Sequence, residues 1–79
     1  MKRFLITLPK IEDVKSFTAA MNKENFDADI VSGKYTVDAK SIMGIFSLDL
    51  SKPVELHVHE NDCKDFEISI QKYIIREVR

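Results

Sequence analysis

The sequence predicts an α+β domain in which helices pack on one face of a single sheet, and three observations carry that expectation. Val54-Glu55-Leu56-His57-Val58-His59 alternates strictly, which aims Val54, Leu56 and Val58 at a dry face and Glu55, His57 and His59 at a wet one. Val14, Phe17 and Met21 recur at helical spacing, as on an amphipathic helix with one buried stripe. Strand-like and helix-like segments follow one another in the order β-α-β-β-α-β-α, two helix-spanned connections around a hairpin.

The first strand is Phe4-Leu5-Ile6-Thr7-Leu8, ended by Pro9. A helix from about Glu12 to Lys23 follows, with Asp13 as its expected N-cap and Glu12 and Asp13 at the positive end of its dipole. Phe26–Val31 and Lys34–Asp38 are two short strands around Ser32-Gly33, a tight hairpin in which Gly33 supplies positive φ. Ser41 to Leu48 forms a short helix capped by Ser41, with Ile45 and Leu48 in the core. Pro53 opens the alternating strand. The last helix is expected to begin near Asn61 or Asp62, with Phe66, Ile70, Tyr73 and Ile74 as its buried stripe; Ile68 and Ile75 fall off that stripe, and Arg76, Glu77 and Arg79 around Val78 suggest a wet end.

Seventy-nine residues make one domain, residues 1–79, which buries only about 60% of the surface of its unfolded chain. The apolar fraction of 44% and charged fraction of 32% are those of a soluble globular protein. A net charge of −1 with scattered lysines argues against nucleic-acid binding. The apolar runs are too short to span a membrane. Met1–Ile6 resembles the start of a signal peptide, but Pro9, Lys10, Glu12 and Asp13 interrupt the apolar stretch such a peptide needs. A single cysteine, Cys63, makes no internal disulfide, and a reducing cytoplasm is the expected location.

The segment Lys40-Ser41-Ile42-Met43-Gly44-Ile45-Phe46-Ser47-Leu48, together with the element order, resembles the HPr family, the small histidine-containing phosphocarriers of the bacterial sugar phosphotransferase system. The resemblance covers nearly the whole chain and is strongest from Gly33 to about Val58. It implies an HPr-like open-faced β-sandwich, three helices on one face of a four-stranded antiparallel sheet. It implies a protein that is not an enzyme, needs no cofactor or metal, is a monomer, and works through protein partners such as an HPr kinase-like protein or phosphotransferase-system and regulator proteins.

The departure from the family falls at the phosphocarrier site. Where the family carries Gly-Ile-His-Ala-Arg-Pro, this chain reads Lys10-Ile11-Glu12-Asp13-Val14-Lys15. Glu12 falls at the histidine position, Val14 at the arginine position and Lys15 at the proline position. No histidine precedes His57, so the conclusion survives a slip in register. A carboxylate is no substitute for imidazole, which is nucleophilic near neutral pH and leaves readily. Glu12 is therefore read as helix N-terminal charge or as an imitation of a permanently phosphorylated histidine.

Two further positions come from the motif. Its serine is the family's regulatory phosphorylation position, which places that role on Ser41, with Lys40 as a nearby counter-charge; the competing reading is a plain helix cap. The resemblance makes Ile42, Met43 and Phe46 an exposed docking patch, with Gly44 allowing close approach of a partner; the competing reading packs two of the three inward. The leading function is an HPr-like regulatory or protein-binding module without histidine phosphocarrier activity. One alternative is a phosphocarrier with an altered acceptor, a carboxylate or His57 or His59. The other is a structural or metal-binding domain using His57, His59, Glu55 and Cys63, whose spacing fits no standard site.

Overall fold

The alternating segment around Leu56 forms the middle strand of a five-stranded antiparallel sheet. The computed structural model describes residues 1–78. In chain order the elements are β1 (Lys2–Ile6), α1 (Ile11–Asn22), β2 (Ala28–Ser32), β3 (Tyr35–Asp38), α2 (Ile42–Phe46), β4 (Val54–Val58), α3 (Lys64–Ser69), a 3-10 turn (Gln71–Tyr73) and β5 (Ile74–Val78). The sheet order is β3-β2-β4-β1-β5.

Alternation decides the two faces. Phe4, Ile6, Ala28, Ile30, Val54, Leu56 and Val58 are buried and meet Val14, Phe17 and Met21 from α1, Ile45 from α2 and Phe66 from α3 in one core. Two edge-to-face aromatic pairs sit in it, Phe17 of α1 with Tyr73 of the 3-10 turn at 6.2 Å and Phe26 of the α1–β2 connection with Phe66 of α3 at 5.4 Å between centroids, a geometry that adds to simple burial. Among the described residues no helix covers the opposite face. Its register lines up two rows across the strands. One runs Asp38, Asp29, His57, Arg3, Val78 and the other Thr36, Val31, Glu55, Leu5, Arg76.

Three expectations need correction. Asp13 is the third residue of α1 and not its cap; the cap position is Lys10, whose backbone N–H donates to Asp13 Oδ2 at 3.2 Å. That is the returning half of a capping box, and lysine has no acceptor to supply the other half. The hairpin loop is Gly33-Lys34, one residue later than the expected Ser-Gly pair, with Gly33 at φ 59°. The C-terminal segment is the third. α3 starts at Lys64 after a Cys63 cap and ends at Ser69, and the chain from Ile74 to Val78 is a fifth strand on β1, not a helix end. Arg79 lies outside the described residues.

The fifth strand has a physical cause. Without it β1 would leave a row of backbone donors and acceptors open at the sheet edge. Thr7 donates its N–H to the Tyr73 carbonyl at 2.9 Å, which begins the pairing, and β-branched Ile74, Ile75 and Val78 favour an extended chain. The ladder pairs Ile6 with Ile74 and Leu5 with Arg76, so Ile75 is the extra residue of a bulge and stays half exposed. Phe66, Ile70 and Tyr73 are buried as the helical stripe requires, yet Tyr73 reaches the core from the 3-10 turn and Ile74 from the strand.

Tyr73 is also the one buried side chain whose polar atom has no hydrogen-bond partner among the described residues. A buried hydroxyl without a partner costs about 1–3 kcal/mol. Tyr73→Phe keeps the ring against Phe17, so it is expected to stabilise the fold by about 1 kcal/mol, read as a higher urea midpoint with unchanged slope.

Candidate functional site

The motif helix α2 lies against β3 and α1. Ser41 is its N-cap, extended at φ −97° and ψ 106°, and its Oγ accepts the Gly44 N–H at 3.1 Å. That bond satisfies one of the helix's free donors. Ile45 is fully buried and Leu48 partly so. Gly44 has a steric reason to be glycine: a Cβ there would sit 3.2 Å from Ser41 Oγ and 3.3 Å from Val37 Cβ, so that the capping serine or the strand would have to give by a few tenths of an ångström.

The other face of α2 is turned outward. Met43 is 77% exposed and Phe46 40%, whereas Ile42 packs partly against the core. Of the three residues of the expected patch, only one is therefore drawn inward. Ser41 itself is exposed.

Lys40 has a different place from the one its motif position suggests. Its Nζ donates to the Glu24 carbonyl at 3.0 Å, its N–H to Asp38 Oδ1 at 2.8 Å, and its carbonyl accepts from Asn22 Nδ2 at 3.2 Å. Lys40 ties the end of α1 to the entry of α2, and it would have to leave Glu24 to meet a charge on Ser41.

Glu12 is exposed at the second position of α1, in the first turn beside Asp13. Ile11, the first residue of the helix, is 61% exposed. No imidazole is near in sequence. His57 and His59 lie on the helix-free face and contact carboxylates, His57 Nε2 with Glu55 Oε1 at 2.9 Å and His59 Nε2 with Asp29 Oδ2 at 2.8 Å. Cys63 is buried and donates to Glu67 Oε2 at 3.3 Å, an oxygen shared with Lys2 Nζ at 2.8 Å. Among the described residues no three histidine, cysteine or acidic side chains converge to hold a metal.

The Lys2–Glu67–Cys63 group sets a pH window. Burial, then the Glu67 hydrogen bond, push the Cys63 thiol up to about 11, while the Lys2 hydrogen bond holds the Glu67 carboxyl below its usual range. A thiol with a raised pKa favours folding below the unfolded value of 9.0 and loses that as pH climbs toward about 11. A lowered carboxylate favours folding above 4.5 and loses it as pH falls. Thermal midpoints are therefore expected to hold level between these limits and to decline beyond each, and Cys63→Ala is expected to flatten the alkaline decline.

No family model matches the sequence, and no curated protein matches it. Solved structures do. HPr-C-His from Thermoanaerobacter tengcongensis superposes with a TM-score of 0.76 at 24% identity, over 91% of this chain and 89% of that one. A phosphocarrier protein HPr from Bacillus anthracis gives 0.67 at 25% identity, over 92% and 93%. The histidine-containing phosphocarrier protein of Mycoplasma gives 0.68 at 15% identity, over 91% and 89%. The architecture is that of the HPr phosphocarriers, an open antiparallel sheet covered on one side by three helices. The chain thus has the HPr fold, with a fifth strand added at the β1 edge.

Proposed function

We propose that the protein is a non-enzymatic, phosphotransferase-system-type binding module that has given up the phosphocarrier histidine, docks partners through α2, and is switched by phosphorylation of Ser41. The observation that carries this reading is the display on α2: an exposed capping serine next to Met43 and Phe46, on a helix anchored from below by Ile45. The start of α1 offers only Glu12 and Asp13, neither of which makes a phosphoimidazole. Partners are proteins of the phosphotransferase system or its regulators, met in the cytoplasm.

A phosphate on Ser41 would add about −1.5 to −2 charges beside the first N–H groups of α2, a position where negative charge is favoured. The absence of a side chain at Gly44 favours this, since a Cβ there would come within 3.2 Å of Ser41 Oγ. Modification is expected to preserve the helix and change the charge of the face that carries Met43.

The test is incubation with ATP and a Gram-positive HPr kinase, followed by intact mass, with Ser41→Ala alongside. The expected result is one acid-stable phosphate on the native chain and none on Ser41→Ala. That variant should also lose about 1 kcal/mol of stability with its cap. No gain of mass, with an HPr control modified in the same tube, overturns the switch. An acid-labile phosphate from phosphoenolpyruvate and Enzyme I would instead favour the altered-acceptor reading.

A further inference from the structure

The helix-free face of the sheet is divided by charge. On the β2–β3 side it carries Asp29 and Asp38, with Asp27 and His59 around the same hollow. On the β1–β5 side it carries Arg3 and Arg76, neither in an ion pair among the described residues. β4 runs between the two halves. We propose that this face pairs with the same face of a second copy, the two related by a twofold axis parallel to β4, so that Arg3 of each copy meets Asp29 of the other.

The register selects that axis. A twofold parallel to the strands keeps each row at its own level and reverses its order across the sheet. The row Asp38, Asp29, His57, Arg3, Val78 then lies over Val78, Arg3, His57, Asp29, Asp38 of the second copy, so Asp29 falls on Arg3 on each side of His57 and Asp38 falls on Val78. The row Thr36, Val31, Glu55, Leu5, Arg76 sets Val31 over Leu5, an apolar contact on each side of the centre, and Arg76 over Thr36. A twofold perpendicular to the strands would bring one row over the other and set Asp29 over Val31. Both arrangements are aligned sheet packings, and only the first sets an arginine over an aspartate. On the axis Glu55 faces its copy, each held by its own His57 at 2.9 Å.

Area sets the strength. Five strands about 4.8 Å apart and about 17 Å long give roughly 400 Å² per copy, or roughly 800 Å² in all, below the range of stable complexes. The pairing is therefore a weak dimer, with Kd of about 10 μM to 1 mM, built on charge and sensitive to salt. It departs from the monomer expected from sequence. α2 lies on the far side of each sheet, so the dimer would present two docking helices outward, which raises avidity for any partner with two sites.

Sedimentation velocity over about 10 μM to about 1 mM, at about 50 mM and about 500 mM salt, tests this. The expected result is a dimer that forms at low salt and weakens at least about tenfold at high salt. Arg3→Asp alone and Asp29→Arg alone should each abolish it. An equimolar mixture of those two variants should restore it, because every 3–29 contact then joins an aspartate to an arginine. Glu55→Gln should strengthen it by removing like charges on the axis. A monomer throughout at low salt overturns the proposal without any variant, and so does a dimer that Arg3→Asp leaves unchanged.

Discussion

Ending the chain at Tyr73 is expected to cost about 2–5 kcal/mol, a large share of the stability of a domain this small. The deletion removes the β1–β5 ladder, whose hydrogen bonds are worth about 0.5–1.5 kcal/mol each net, and uncovers Ile6 and the half-buried Ile74 position of the core. It also turns β1 into an open edge, so the truncated chain should aggregate at concentrations where the full chain does not. Urea denaturation reads the result: with a slope near 1 kcal/mol per molar, the midpoint should fall by about 2 M or more. A shift under about 0.5 M would mean that β5 is a frayed appendage and that β1 is the true edge of the fold. Ile75→Thr provides the contrast, because the bulge leaves Ile75 half exposed and the change should be nearly neutral.

That segment also marks where sequence reasoning stopped. Local periodicity was sufficient wherever an element is amphipathic over its own length, as in β4 and α1, where every residue the pattern names is buried and only Thr18, whose hydroxyl donates to the Val14 carbonyl, is buried beyond it. It was insufficient for Phe66, Ile70, Tyr73 and Ile74, which keep helical spacing although the chain changes from helix to 3-10 turn to strand beneath them. What decides the change is the unsatisfied edge of β1, contributed by residues some seventy positions away in sequence. Ile74, Ile75 and Val78 did carry a local signal, since three β-branched residues in five are unusual for a helix end. At the site, the cap by Ser41 was legible because it is local. The capture of Lys40 by the Glu24 carbonyl was not, since it depends on where α1 ends relative to α2.

Two substitutions on α2 separate its structural face from its displayed face. Ile45 is fully buried between β3 and the rest of the core, so Ile45→Ala should destabilise by about 2–5 kcal/mol through lost burial and the cavity left behind. Met43 is 77% exposed, so Met43→Asp should change stability by less than about 0.5 kcal/mol. Binding should follow the reverse order. With an HPr kinase as the probe partner, Met43→Asp is expected to lower kcat/KM for Ser41 at least about tenfold, the loss of about 1.4 kcal/mol at an apolar contact now opposed by a charge. Ile45→Ala should lower it only as far as it unfolds the chain, an effect that disappears at low temperature where the variant is folded. Equal kinetic losses in folded samples of both variants would mean that α2 acts through its seating on the sheet and not through the surface Met43 presents, and the docking role would then have to move to another exposed residue, with Ile11 at the start of α1 the first to examine.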